Sequence, residues 1–272
     1  MIIRKYEVID DIKVFDKVEE NHSDYNAKGL DNLYKAENKH FWFIARKEFI
    51  LQNLKKHINK NAKIIEIGAG TGNVSRYFMQ NGYENAVGEM HFNGLKYAKS
   101  YGIKDCYQFN LLNIPFEKEF DVVCMFDVLE HIEDDNLALQ NIHKALNGGG
   151  KIVLTVPAHM WLWNRDDRIG GHKRRYTKKE LKEKLEKNGF KVINIRYFFI
   201  GITPLLYLRT ILNKDDGSEV KENELNKEIS MNSILNSVLL FVSRLENRIN
   251  RFLPNLFGGS IFAIGEKIDT IQ

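Results

Sequence analysis

The sequence predicts an α/β fold built on a largely parallel sheet with helices over both faces. A short apolar strand, Ile64–Ile67, runs into the glycine turn Gly68, Ala69, Gly70, Thr71 and Gly72. An almost unbroken apolar run fills most of Phe120–Phe126, as expected of a strand buried on both sides. Strand-like and helix-like stretches alternate from residue 63 to residue 197 at the lengths of βαβ units.

The elements follow in order. Residues 1–62 read as helical and irregular, with an aromatic cluster at His40, Phe41, Trp42, Phe43, Ile44, Ala45 and Arg46. Those rings either anchor an N-terminal helix or form part of a lid, since broad rigid rings exclude water and enclose ligands. After the glycine turn, residues 73–79 read as helix, 86–89 as strand, 92–99 as helix and 106–109 as strand. Residues 136–146 put Leu137, Leu139, Ile142, Ala145 and Leu146 at helical spacing, Gly148, Gly149 and Gly150 end that helix, and 151–156 return as strand until Pro157. Thr177 and Glu180 form a capping box for a helix through Lys187, Gly189 ends it, and 190–197 give the next strand.

Residues 198–257 read as a helical insertion. An apolar block covers 197–208, a charged, asparagine-rich loop covers 213–228, and a helix follows. That helix lines up Met231, Leu235, Val238, Val242, Leu245, Ile249 and Phe252, with Ile234 and Phe241 broadening the face. Residues 258–267 supply a last strand. The expected organisation is an N-terminal helical extension or lid (1–62), a core (63–197), an insertion serving as a substrate cap (198–257), and the last strand with its tail (258–272).

At 272 residues and 31.7 kDa the chain can bury the core of one decorated α/β domain. Forty basic residues nearly cancel 36 acidic ones, a balance that does not mark a nucleic-acid binder. Cys106 and Cys124 fit buried core thiols, with a reducing compartment as the corollary. The N-terminus lacks an apolar signal core and no run reaches 18 apolar residues, so cytoplasmic residence is expected.

Two chemistries use a strand followed by such a turn. A dinucleotide site wants glycine at the first, third and sixth positions. Here Gly68 and Gly70 fit, but Asn73 holds the sixth place and Gly72 comes one residue early. Glu89, 21 residues after Gly68, can accept both ribose hydroxyls of a dinucleotide or of an adenosyl cofactor. Asn110 follows the third strand, where its amide can pair with an adenine edge or face solvent.

The run 63–73 resembles motif I of the class I methyltransferases that use S-adenosylmethionine, and 87–89 is similar to their second motif. Asn110 through Phe116 matches the adenine loop, although that family more often opens it with aspartate. Asp121 through His131, reading D-V-V-C-M-F-D-V-L-E-H, and 146–157 resemble the next strand, turn, helix end and strand. The resemblance covers about half of the chain and implies a Rossmann-like sheet of seven strands. It places Glu66 and Gly68 near the methionine part of the cofactor, Glu89 at the ribose, Leu111 beside the adenine and Asp127 at the methyl-donor end. Gly70, Gly72, Met90 and Asn110 complete that set. The blocks at 40–46 and 171–177, with the terminal G-G-S-I-F-A-I-G-E-K, resemble uncharacterised methyltransferases associated with cell-envelope or lipid-linked sugar metabolism.

Methyl transfer needs an aligned acceptor and exclusion of water, and no metal is expected. Removing a proton helps an oxygen or nitrogen acceptor, so His131 and His172 join Asp127 as candidate catalytic residues. Each histidine has a structural alternative. Arg174 and Arg175 suit a phosphate or carboxylate, or form a solvated basic turn. Asp166, Asp167 and Arg168 read as local ion pairs. Trp42, Arg46, His159, Trp163 and Tyr176 are placed on the acceptor side, and Trp161 packs near His159. The insertion either packs on the core, is buried in a homodimer, or makes a greasy channel or peripheral membrane contact. The expected activity is methyl transfer from S-adenosylmethionine to an oxygen or nitrogen of a small or lipid-linked acceptor. A non-catalytic adenosyl-binding protein and an NAD-dependent oxidoreductase are the alternatives.

Overall fold

The computed structural model describes residues 1–17, 29–221, 224, 229 and 231–268. Their strands are β1 (Glu7–Ile9), β2 (Ile12–Val14), β3 (Ile64–Ile67), β4 (Asn85–Glu89), β5 (Cys106–Gln108), β6 (Phe120–Phe126), β7 (Leu146–Pro157), β8 (Phe190–Phe198) and β9 (Ser260–Lys267). The helices are α1 (Gly29–Ala36), α2 (Phe41–Leu54), α3 (Asn73–Gln80), α4 (Phe92–Ser100), α5 (Asp135–Ala145), α6 (Arg165–Ile169), α7 (Lys178–Lys187), α8 (Thr203–Leu212) and α9 (Ser233–Ile249). One sheet joins the strands in the order β1-β2-β5-β4-β3-β6-β7-β9-β8. Strands β5, β4, β3, β6 and β7 run parallel, and β9 is inserted antiparallel between β7 and β8.

The seven strands expected are present, and residues 1–62 add two more. Asp10 and Asp11 both take positive φ (50° and 58°) and close a two-residue hairpin whose β2 pairs with β5. Three-residue strands are too short to show a period of two. The three glycines at 148–150 lie within β7 rather than before it. Phe120 pairs with Leu146 and Val122 already with Lys151, so 147–150 form the excursion that absorbs the mismatch.

Along β6, Val123 and Met125 enter the core under α5 and α7, while Val122, Cys124 and Phe126 enter the core under α2 and α3. Both cysteines are buried and unpaired, and burial pushes the Cys106 thiol up to about 11. The capping box at Thr177 and Glu180 is formed.

Helix α9 narrows the alternatives for the insertion, because most of its apolar stripe does not pack on the core. Ile234, Leu235, Val238, Phe241, Leu245 and Ile249 are exposed, and Leu239, Ser243, Glu246 and Asn247 are buried instead. The polar groups go inward because they meet backbone groups there. Glu246 accepts from the amides of Ile200 and Gly201 (2.9 and 2.8 Å), and the Asn247 amide donates to the Ala45 carbonyl (3.0 Å). Arg244 ties α9 to Glu48 of α2. Positions 222–223 and 225–228 of the expected loop, and 269–272 of the tail, lie outside the described residues.

Helix α4 reaches the glycine turn at Gly94, where an added Cβ would strike the Gly70 carbonyl oxygen. Gly94→Ala should therefore lower stability by about 1–3 kcal/mol through overpacking. The check is a guanidinium unfolding curve with a lower midpoint and unchanged slope; a midpoint equal to the parent's would refute the close approach.

Candidate active site

The turn between β3 and α3 is shaped by three glycines with φ of 69°, 55° and 79° at Gly68, Gly70 and Gly72, a region costly for other residues. A Cβ on Gly68 would lie 2.5 Å from a Val128 methyl, so the turn sits directly against the stretch after β6. Glu89 pins the corner. One oxygen accepts the Gly70 amide (2.9 Å), and the other accepts the amides of Met90 (2.8 Å) and His91 (3.0 Å). The Gln108 side chain donates to the Met90 carbonyl, tying β5 to the same corner.

Asn110 caps the single turn Leu111–Asn113 through the Leu112 amide and donates its own N–H to Asp16. Arg4 bonds Asp16 and holds its carboxyl below the usual range. Leu111 is buried in the main core, and Glu66 is bonded to the Ser75 hydroxyl of α3, beneath the turn. Burial raises the Glu66 carboxyl to about 7.

Helices α1 and α2 cover the turn. Leu33 and Leu30 flank Gly70, Glu37 accepts from the Thr71 hydroxyl, and Lys47 donates to Asn73 (2.8 Å). Burial pushes Glu37 up to about 7 as well. Sequence reasoning missed Glu37, Lys47 and Thr71; only the cluster of polar residues flanking the aromatics hinted at them.

Two of the recognised blocks meet here. Asp127 directly follows β6 with φ of 56° and is ion-paired to Arg46, whose guanidinium lies 4.5 Å from the Trp42 ring centre. Trp42, Arg46 and Asp127 are thus one unit. A second cluster follows it. His131 and His172 stack edge to face at 4.7 Å, and His172 Nδ1 lies 2.7 Å from Asp167. Arg175 grips the same Asp167 with two bonds of 2.8 and 2.9 Å. Burial opposes the charge on Asp167, but His172 and Arg175 outweigh it and keep the carboxyl low. Burial, with His172 alongside, pushes the His131 imidazole down to about 3. Asp167 was read only as a local ion pair; its spacing of five residues from His172 was the available signal.

Other expected acceptor-side residues point elsewhere. Tyr176 is buried and donates to Asp135 (2.8 Å), and Arg174 pairs with that aspartate (2.9 Å). Both brace α5. Arg175 is committed to Asp167 and the Ala158 carbonyl. Trp163 donates to Asp215. His159 is sandwiched between Trp161 and Tyr197, with centroids 5.0 and 4.8 Å away.

This strand order, with a glycine turn at the carboxyl end of β3, defines the class I methyltransferase fold. The methyltransferase domain family matches residues 34–195, and the chain belongs to that family; S-adenosylmethionine is the cofactor of the class. The chain is 24% identical over 153 residues to the ubiquinone biosynthesis O-methyltransferase of Rickettsia bellii (strain OSU 85-389), covering 54% of this chain and 61% of that protein. The chain thus spans about three fifths of the length of such curated relatives. A chain of the complex between the Haloferax volcanii Trm112 methyltransferase activator and a proposed methyltransferase superposes with a TM-score of 0.58 at 13% identity, over 93% of this chain and 100% of that one. The Haemonchus contortus phosphoethanolamine N-methyltransferase 2, solved with phosphomonomethylethanolamine and S-adenosylhomocysteine, superposes with a TM-score of 0.52 at 16% identity, over 82% and 52%.

The raised Glu66 carboxyl gives a pH signature. Its folded value near 7 exceeds the ordinary 4.5, so the folded state binds more protons between those values and stability falls as pH rises through the window. The parent should lose roughly 3 kcal/mol relative to Glu66→Gln between pH 4.5 and pH 8. Paired denaturation curves check this; a parent–variant difference that stays constant with pH would contradict it.

Proposed function

We propose that the chain transfers the methyl group of S-adenosylmethionine to an oxygen of a small or lipid-linked acceptor, with nitrogen as the second choice. One observation carries the reading. The glycine turn, the Glu89 corner and the Asp127–His131 stretch converge at the carboxyl ends of β3, β4 and β6, with Val128 against Gly68, where open α/β sheets bind ligands. The residues fit the cofactor. The left-handed glycines leave three of the turn's five positions bare of side chains, and Glu89 Oε2 takes only one backbone donor, which leaves acceptor capacity for a ribose hydroxyl.

When bound, the sulfonium supplies an electrophilic methyl carbon. The chain's own residues do the rest. Glu89 holds the ribose, α1 and α2 exclude water over the turn, and Asp127 with Arg46 under Trp42 closes the donor end. His131 and His172 orient the acceptor or remove its proton. The O-methyltransferase name of the Rickettsia relatives supports oxygen.

The lipid-linked reading is supported by the surface. Met160, Trp161, Tyr207 and Ile211 are exposed beside the His159 stack, with Trp161 5.9 Å from Tyr207. The stripe of α9 adds Ile234 at 74% and Phe241 at 69% exposure. A cavity of about 230 Å³ between α2 and the end of α9 is lined by Lys56, Arg196, Arg248 and Arg251 with no carboxylate among its lining residues. Apolar stripe and cationic cavity together suit the headgroup zone of an anionic membrane. No helix among the described residues is long and apolar enough to cross one.

Calorimetry tests the donor. S-adenosylmethionine and S-adenosylhomocysteine should bind, nicotinamide dinucleotides should not, and Glu89→Ala should weaken binding by roughly tenfold or more, the loss expected for charge-assisted hydrogen bonds. Selective dinucleotide binding would overturn the reading. Binding without any gain of about 14 Da, the net mass added when a methyl group replaces a hydrogen, in lipid and metabolite fractions would favour the non-catalytic alternative. For the surface, flotation with phosphatidylglycerol vesicles should carry the parent and lose Ile234→Glu/Phe241→Glu. A parent that stays unbound, or that sediments as a dimer covering this face, would remove the membrane part.

A further inference from the structure

The donors of Glu130, His131 and His172 lie within 4.8 Å of one another, and we infer that they form a divalent-cation site of the two-histidine, one-carboxylate kind. The expectation of metal-free chemistry made no use of this cluster. Glu130 is fully buried, and among the described residues its carboxylate meets no hydrogen-bond donor beyond its own backbone amide. The His172 Nε2 atom faces it at 3.9 Å, too far for a hydrogen bond. A buried carboxylate in that state is costly unless a proton or a cation meets it.

The surroundings are built to hold donors in place. Asp167 bonds His172 Nδ1 at 2.7 Å, which leaves Nε2 directed at Glu130. Arg175 fixes Asp167 with two further bonds. This is the carboxylate–histidine arrangement that orients metal ligands from behind. The Lys173 amide donates to the Glu130 carbonyl at 2.8 Å, locking the loop of His172 to the turn after β6. An ion bound at about 2.0–2.2 Å from each donor would draw the donors to roughly 3–3.5 Å apart, a contraction within reach of side-chain rotation. Three protein donors leave coordination positions open.

The chemistry rests on the methyl-transfer reading, with the ion taking over the proton-removing role given above to His131 and His172. A hydroxyl of the acceptor occupying an open position would have its pKa lowered and release its proton to solvent. Its oxygen then bonds the methyl carbon as the carbon–sulfur bond breaks, with that electron pair going to sulfur. The products are a methyl ether and the neutral thioether S-adenosylhomocysteine. Asp167 is a positioning residue in this scheme.

The test uses the tag-free full chain, stripped with a chelator and titrated with Zn²⁺, Mn²⁺ and Mg²⁺ by calorimetry, and with Co²⁺ by visible absorption. One equivalent of Zn²⁺ or Mn²⁺ per chain is expected, with Co²⁺ bands of nitrogen and oxygen coordination. Asp167→Asn should weaken affinity about 10–100-fold while preserving the Co²⁺ spectrum, and His172→Ala should abolish that spectrum. If His172→Ala does not fold, His172→Gln serves in its place. No stoichiometric uptake by the parent, or unchanged affinity in a folded His172 variant, would overturn the site. S-adenosylhomocysteine binding is measured on the same samples. Its retention without metal uptake sinks only the cation site, and its loss with metal uptake intact sinks only the methyl-donor reading.

Discussion

The carboxylate of Glu89 sets the geometry on which the carboxyl edge of the sheet depends. It gathers backbone amides from two loops, Gly70 from one and Met90 and His91 from the other, into a single hydrogen-bonded knot. Without those acceptor oxygens, three amide donors close to the core would lack partners. The knot also brings β4 and the start of α4 against the turn, which is why Gly94 can carry no side chain. The same carboxylate is the proposed ribose acceptor. Its structural bonds therefore preorganise it, since its rotamer is fixed before any ligand arrives.

The insertion obeys a different constraint. As the chain leaves β8 it passes through Phe199 with φ of 59° and exposes amides at Ile200 and Gly201. Helix α9 answers with Glu246, and Asn247 and Asn250 satisfy the carbonyls of Ala45 and Tyr197. Hydrogen-bond demand thus chooses the inner face, and the apolar stripe is left outside. A stripe of that length is larger than scattered surface apolar residues explain. Its position beyond Arg196, Arg248 and Arg251 links the packing of the insertion to the proposed membrane contact.

The parts of the fold legible in the sequence were those governed by local pattern. β6 spans the apolar run read for it, and the capping box at Thr177 and the last strand were visible in spacing. The parts that escaped depend on distant partners. Asp10 and Asp11 carried a turn signal, but flanking strands of three residues gave it no support. Asp135 claims Arg174 and Tyr176 from about forty residues away, turning basic and aromatic residues of an apparent binding loop into braces. The periodicity of α9 was legible and its orientation stayed open, because amphipathicity reports a face without saying what it meets. In the site, the glycine turn and the Asp127–His131 block were readable. The pairings Arg46–Asp127, Glu37–Thr71 and Asp167–His172 exist only after folding.

Those pairings give the site an unusual charge balance. Glu37, Glu66, Asp127 and Glu130 all lie within the influence of the Arg46 guanidinium, with Lys47 also acting on Glu37 and Arg175 on Glu130. Burial raises Glu37 and Glu66 to about 7 and drives Glu130 higher still. These cations do not offset the burial of Glu37, Glu66 and Glu130, so the site favours a ligand that brings positive charge. A sulfonium does so, and its demethylated product is a neutral thioether. On the proposed reading, the electrostatics therefore bind donor more tightly than product, and the same acid-rich enclosure that accepts the methyl donor weakens its hold once the methyl group has left.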